Sequence, residues 1–324
     1  MPSTATATGS AVDKLLPKDY IMTGEGLYFA VVLPAAAGEP IHCSLRYVRR
    51  PGAAPQKLDT MQAHSLLKTR HPRYLGFSNR IGAEAVLVPP QAVEKVYRPG
   101  EVLAALAQSA GDDDIQRKAV RVIDYLIRNR IDRGVLGITG SLLLGFQKPD
   151  SDIDVVIYSA EAFSLSRRLI REALDGGEFT PLDEAMWRAA YARRGCALDF
   201  DTYVKHERRK FNKFTLDNTK VDISWVPVAD RDEFRAPVQK LGPSTIEAVV
   251  VDDSRAFAYP ARYVIENDEI EQILCYTATY TGQAFAGESI EAAGMIECDA
   301  DGRRYMIIGT SREAPGEYIK VLHL

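Results

Sequence analysis

Cysteine is scarce in this chain. Four are spread over 324 residues, Cys43, Cys196, Cys275 and Cys298, with no C-x-x-C pair among them. That spacing excludes a disulfide-framed scaffold and a zinc-ribbon ligand set, and it suits reduced thiols in a cytosolic protein. The five histidines are scattered, so a Cys/His metal cluster is not expected either. No apolar run reaches the roughly eighteen residues that a helical membrane span needs, so none is predicted. Charge of one sign is also lacking. A net charge of −4 argues against a protein that coats nucleic acid without preference, while leaving room for a local basic groove. The first ten residues, rich in Thr and Ala, lack the basic and apolar regions of a secretory signal, and residues 1–15 read as a disordered lead-in.

What is present is ordinary in bulk: 46% hydrophobic and 26% charged residues suit a soluble globular chain, so function must be sought in local pattern. The length allows two to three domains. The most informative segment runs from Val135 to Tyr158. Val135 to Thr139 is a short apolar run that stops at glycine, as a buried strand would. Gly140-Ser141 can open a short helix, whose unpaired N–H groups suit a phosphate. Pro149-Asp150-Ser151 is turn chemistry, and Ile153 to Tyr158 is a β-branched run that reads as a second buried strand. Alternation along that strand puts Asp152 and Asp154 on one face and Ile153 and Val155 on the other. Two neighbouring carboxylates repel, and their natural partner is a hard divalent cation, Mg²⁺ or Mn²⁺, completed by substrate phosphates. Alone, a Gly-Ser turn or an Asp-x-Asp edge means little. In this order and at this spacing they point to nucleotidyl transfer.

The segment resembles the signature of the polymerase-β-type nucleotidyltransferase superfamily, a Gly-Ser pair followed by a two-aspartate strand. Its members include polymerases, CCA-adding and poly(A) enzymes and antibiotic nucleotidyltransferases. The chain as a whole is similar to an uncharacterised prokaryotic branch with N- and C-terminal extensions. The resemblance implies Asp152 and Asp154 as metal ligands, Gly140 and Ser141 as the phosphate cradle, an NTP as substrate, and a third carboxylate from a later strand. Two segments compete for that role. Lys220 to Val226 alternates with Asp222 and Ser224 on one face; Leu198 to Val204 alternates with Asp199 and Asp201. Asp222 is preferred, because its strand follows a turn.

Between these segments lies Lys205-His-Glu-Arg-Arg-Lys-Phe-Asn-Lys213, with five Lys or Arg in nine residues. Arg208, Arg209 and Lys210 are candidates to clamp a triphosphate or to grip an RNA backbone, with Phe211 available for stacking; a solvated charged face is the equal alternative. Lys148, in the loop before the Asp pair, is a further candidate for phosphate contact.

Elsewhere, Gly26–Leu33 and Ile41–Val48 read as paired strands, and Ala83–Val88 as another. Asp59 is placed to cap a helix reaching Thr69. Arg70, His71, Arg73 and Tyr74 are either a base-contacting cluster or an ordinary helix end. Residues 100–133 read as two helices, with Asp112-Asp-Asp114 before the second and an apolar stripe of Ile115, Ala119, Val122, Leu126 and Ile127. Leu165–Leu174 and Leu182–Ala192 read as two more. Beyond Pro243 come short strands at Ala258–Val264, Gln272–Thr279, Glu288–Glu297, Tyr305–Gly309 and Tyr318–Leu322, with Tyr276 and Tyr280 open to stacking or to ordinary half-burial. The expected architecture is an α/β nucleotidyltransferase core (residues 101–242) behind an N-terminal α/β extension (16–100) and before a small, OB-like β-barrel (243–324). The expected reaction is attack of an acceptor hydroxyl, RNA among the candidates, on an NTP; an idle nucleotide- or RNA-binding regulator is the alternative.

Overall fold

The computed structural model describes residue 12 and residues 14–109, 113–228, 239–309 and 314–324. The chain divides into two compact units: the described residues up to Ala162 with Val228, and Phe163–Pro227 with the described residues from Gln239 to Leu324.

The first unit opens with seven strands: β1 (Tyr20–Thr23), β2 (Leu27–Val31), β3 (Ile41–Val48), β4 (Gln56–Lys57), β5 (Leu75–Ser78), β6 (Ala83–Val88) and β7 (Val93–Tyr97). They pair in the order β5-β6-β3-β2-β1-β7, with β4 on β3. Strand alternation gives this sheet two apolar faces. On one, Ile21, Leu27, Phe29, Ile41, Cys43 and Leu45 pack with Leu67 of helix α1 (Thr60–Arg70). Asp59 starts that helix as expected, accepting from Gln62 N at 2.8 Å while Gln62 caps in return, and His71-Pro72 ends it. Val12 and Leu15, placed in the lead-in by the sequence, also fill this core; residues 1–11 and 13 lie outside the described residues.

The other face carries Tyr20, Tyr28 and Tyr47. It packs on Leu143, Leu144 and Phe146, farther along the same unit. Two helices, α2 (Pro99–Ser109) and α3 (Asp114–Arg128), lead into this region. Asp113 caps α3, whose stripe of Ile115, Ala119, Val122 and Leu126 is buried; Asp112 lies outside the described residues. Then come β8 (Leu136–Thr139), the short helix α4 (Gly140–Leu144) and β9 (Ile153–Ile157).

Helix α5 (Ala160–Asp175) leads to the second unit, with α6 (Glu184–Arg194) and α7 (Phe200–Arg208). Leu198–Val204 is therefore not an alternating strand. Asp199 accepts from Thr202 N at 2.9 Å and caps α7, so a side-chain-to-backbone bond turns the segment into a helix start. Strands β10 (Lys213–Leu216) and β11 (Thr219–Trp225) form a hairpin whose two turn residues, Asp217 and Asn218, both have positive φ, as a tight I′-type turn demands.

Six strands follow: β12 (Gln239–Arg255), β13 (Ala261–Glu266), β14 (Gln272–Cys275), β15 (Ser289–Cys298), β16 (Arg304–Ile308) and β17 (Tyr318–Val321). Their order is β12-β13-β14-β16-β15-β17, and β12 also pairs with β15. The five expected strands are present with shifted ends. The long β12 was not legible, because Gly242 and Pro243 interrupt its pattern. Inside lie Val250, Tyr263, Ile273, Ile290, Met306 and Ile319, joined by Leu198 from the segment before α7.

Candidate active site

Strands β8 and β9 run antiparallel, with Thr139 directly opposite Asp154. Ile153 and Val155 are fully buried, and this anchors the strand; Asp152 and Asp154 stand half-buried on the opposite face, as alternation requires. The chain leaves β8 through Gly140 at φ +72°. A Cβ at Gly140 would sit 2.5 Å from Asp154 Oδ2, so the carboxylate lies over the glycine. Only glycine satisfies both that backbone conformation and that approach. The buried Leu142 and Leu143 hold α4 down, and Gly145 at φ +69° ends it. With five residues α4 has little macrodipole. What it offers an anion is the backbone N–H groups of its first turn, which the Thr139 side chain does not cap. Lys148 is exposed in the next loop, where its backbone N–H donates to Ser151 Oγ at 2.8 Å.

The N-terminal sheet closes one side of this turn. The Thr139 hydroxyl donates to the Lys18 carbonyl at 2.7 Å. Tyr20 and Tyr47 are each only 5% exposed. Burial raises both hydroxyls, that of Tyr20 well above the usual phenol range. The Arg46 charge opposes the rise, and the Asp154 carboxylate adds to it. Tyr20, Arg46 and Tyr47 were missed by sequence reasoning, since no motif marks them.

In the second unit, Asp222 and Ser224 occupy the half-buried face of β11, while Val221 and Ile223 are fully buried. Asp222 stands opposite Lys213 in the β10–β11 ladder. Asp199 and Asp201 are exposed at the start of α7.

The basic segment splits in two. Lys205 and Arg208 face solvent. Arg209 is ion-paired with Glu288 and lies 4.5 Å over the Phe285 ring. Lys210 is 1% exposed, ion-paired with Glu207, and donates to the Thr279 carbonyl at 3.1 Å. Lys213 Nζ meets the other oxygen of Glu207 at 2.7 Å. Burial alone would raise the Glu207 carboxyl, but Lys210, Lys213 and Arg194 outweigh it and hold the group ionised. The expectation that Lys210 contacts nucleotide or RNA is corrected: helical spacing turns His206, Glu207 and Lys210 inward together, and the ammonium is spent on a protein carboxylate. Arg73 and Tyr74 likewise turn to Glu25 rather than to a base. Tyr280 is buried and accepts from Ala197 N at 3.2 Å, so it is not a stacking surface.

Among the described residues, no three His, Cys, Asp or Glu side chains gather as a ready metal cluster. Asp152 and Asp154 supply oxygen donors only, which fits a hard cation that completes its shell with phosphate and water.

A model of the nucleotidyltransferase domain matches residues 119–246, from within α3 into β12. Over 341 residues the chain is 31% identical to an uncharacterised protein of Methanocaldococcus jannaschii, an alignment that covers 95% of this chain and 99% of the relative. No solved structure matches the chain. With the Gly-Ser turn and the aspartate pair inside the matched region, the chain belongs to the polymerase-β-type nucleotidyltransferase superfamily.

Proposed function

We propose that this protein moves a nucleoside monophosphate from an NTP to an acceptor hydroxyl. The observation that carries the reading is the Asp154 carboxylate lying over Gly140, with Asp152 on the same face, in a chain of this superfamily. Asp152 and Asp154 are the residues that would hold Mg²⁺ or Mn²⁺. Bound there, the cation would neutralise polyphosphate charge and make a coordinated hydroxyl more acidic. Gly140 and Ser141 bind phosphate oxygens through backbone N–H groups, and the exposed Lys148 adds charge from the loop. The acceptor oxygen forms a bond to the α-phosphorus, the bond to the bridging oxygen breaks, and pyrophosphate leaves. The acceptor's proton passes to the third carboxylate, Asp222.

Two observations support Asp222: its half-buried place beside Ser224, and the loss of its rivals Asp199 and Asp201 to a helix start. For the acceptor we favour RNA. The pairings that run from β12 through β13, β14, β16 and β15 back to β12 support a small OB-like barrel, a form that often holds oligonucleotides. Arg208 and Lys205 are the exposed cations of the basic segment that could meet a phosphate backbone.

The test is transfer of label from each α-labelled NTP, with Mg²⁺ and a mixed acceptor pool containing RNA. Asp152→Asn and Asp154→Asn should abolish transfer while circular dichroism and Tm stay native. Asp222→Asn should cost orders of magnitude, and Asp199→Asn and Asp201→Asn little. Wild-type turnover in either Asp152 or Asp154 variant sinks the mechanism. NTP binding without any pyrophosphate release would make the protein a nucleotide-binding regulator instead.

A further inference from the structure

The basic segment at the end of α7 keeps only part of its charge for solvent. Arg209, Lys210 and Lys213 are held by Glu288 and Glu207, which leaves Lys205 and Arg208 exposed, three residues apart on one side of the helix. Helix α5 carries a second pair. It buries Phe163, Ser166, Leu169, Ile170 and Ala173, and the helical turn therefore puts Arg168 and Arg171 on the opposite side, where both are exposed. Among the described residues, no ion pair engages Lys205, Arg208, Arg168 or Arg171. The two pairs meet at Phe211, three residues beyond Arg208. Arg171 lies over the Phe211 ring, 5.5 Å from its centre. Arg167, one turn before Arg171, donates from Nε to the Lys210 carbonyl at 2.7 Å and so fixes the peptide that leads into Phe211. Phe211 itself is half-buried at φ +50°, a left-handed conformation that a bulky side chain adopts only under constraint.

We propose that Arg168, Arg171, Lys205 and Arg208 form one strip that grips the phosphates of a single-stranded RNA acceptor, with Phe211 as the positioning residue that seats Arg171. The inference rests on the RNA-acceptor reading above and adds a second helix to it. Two exposed cations on α7 hold a polyanion weakly. Four brought to one edge displace more condensed counterions when they meet successive phosphates, and that release drives binding. A guanidinium held over an aromatic ring keeps its N–H edges free, and those edges match two phosphate oxygens at once. Seating Arg171 on Phe211 also removes rotamer freedom before RNA arrives, so less order is lost on binding. The outer plane of that guanidinium is a surface on which an unpaired base can stack, and a base inside a duplex cannot. Contacts of these kinds position RNA without reading its sequence.

The experiment measures binding of a labelled, mixed-sequence single-stranded RNA to the full chain by fluorescence anisotropy across a range of salt, with Mg-NTP affinity and Tm beside it. Replacing Arg168 and Arg171 together with Ala should weaken RNA binding by about tenfold, the worth of two exposed charge contacts. The slope of log affinity against log salt should flatten by roughly 1–2 units. Arg171→Lys keeps the charge without the fork, so affinity should fall by less and the slope should hold. Phe211→Asn removes the ring with a residue type that tolerates a left-handed backbone. It should lower RNA affinity severalfold and also leave the slope unchanged. Mg-NTP affinity and Tm should stay at wild-type values in the arginine variants, which a merely structural role would not allow. Should the double variant fail to fold, Arg168→Ala and Arg171→Lys carry the measurement. Native-like variants that keep RNA affinity within about twofold of wild type, at the wild-type slope, overturn the strip and leave the RNA acceptor standing. A wild-type protein that binds Mg-NTP but no RNA overturns the strip and the RNA acceptor together, and leaves nucleotidyl transfer standing. One that binds neither overturns all three.

Discussion

Gly140 carries two constraints at once, a left-handed backbone and the Asp154 oxygen where a Cβ would stand. Gly140→Ala should therefore cost about 1–2 kcal/mol in backbone strain alone and displace the carboxylate as well. Turnover should fall much further than Tm; pyrophosphate release and thermal melts read the two separately. His206 is a second residue with a defined consequence. It is fully buried, with Nδ1 bonded to the Thr202 carbonyl at 2.8 Å and Nε2 accepting from Val321 N at 3.0 Å. The Nε2 bond requires the neutral ring, and burial, with Lys210 and Arg209 nearby, lowers its pKa to about 4 against the pull of the Thr202 carbonyl. The unfolded chain keeps a pKa of about 6.5. Between those values the unfolded state binds the extra proton, so this contribution to stability is complete above about pH 6.5 and is lost as pH falls towards 4. Urea midpoints measured across that range should slope downwards with acid in wild type, and less steeply in His206→Gln.

Helix α7 shows why a basic run is not automatically a binding surface. Its buried side is an ion cluster in which Glu207 serves both Lys210 and Lys213. Glu207→Gln leaves two buried ammonium groups without their anion and should cost about 3–5 kcal/mol, seen as a lower denaturation midpoint. At the start of the same helix, Asp199→Asn keeps a good cap and should be nearly silent, whereas Asp199→Ala should cost about 1 kcal/mol. If RNA is the acceptor, replacing the exposed Lys205 and Arg208 should flatten the salt dependence of RNA binding by about one slope unit per lost phosphate contact. No flattening would direct the search to small-molecule or protein acceptors.

Across the second unit, the strands after Pro243 share a core with the helices before it. Leu198 packs among β12–β17 residues, Lys210 reaches the Thr279 carbonyl, His206 receives the Val321 N–H, and Phe163 lies 5.1 Å from Phe257. Removing the chain after Pro243 would expose that core and orphan buried polar groups. The expected result is an aggregating or molten product, rather than a protein that has lost only acceptor affinity. Near-UV circular dichroism and solubility of the truncated chain check this.

The candidate site was legible as a pattern because it is written in local periods. The alternation that pairs Asp152 with Asp154, the glycine stop at Gly140, the Asp59 cap and the apolar stripe of α3 each depend on neighbours a few residues away. Leu198–Val204 was misread because its alternation also fits the first turn of a helix, and one Asp199–Thr202 hydrogen bond settles between them. The β2–β3 register slip, a β-bulge at Arg46, belongs to the pairing of two strands, so no pattern within β3 announces it. The fate of Lys210 depends on Thr279, far along the chain, as well as on nearby Glu207. By itself the sequence determined the superfamily signature and the side chains to consider for phosphate chemistry. Tertiary structure decided which charges are spent on one another and which stand beside the turn, because burial and pairing belong to neighbours brought together only by folding.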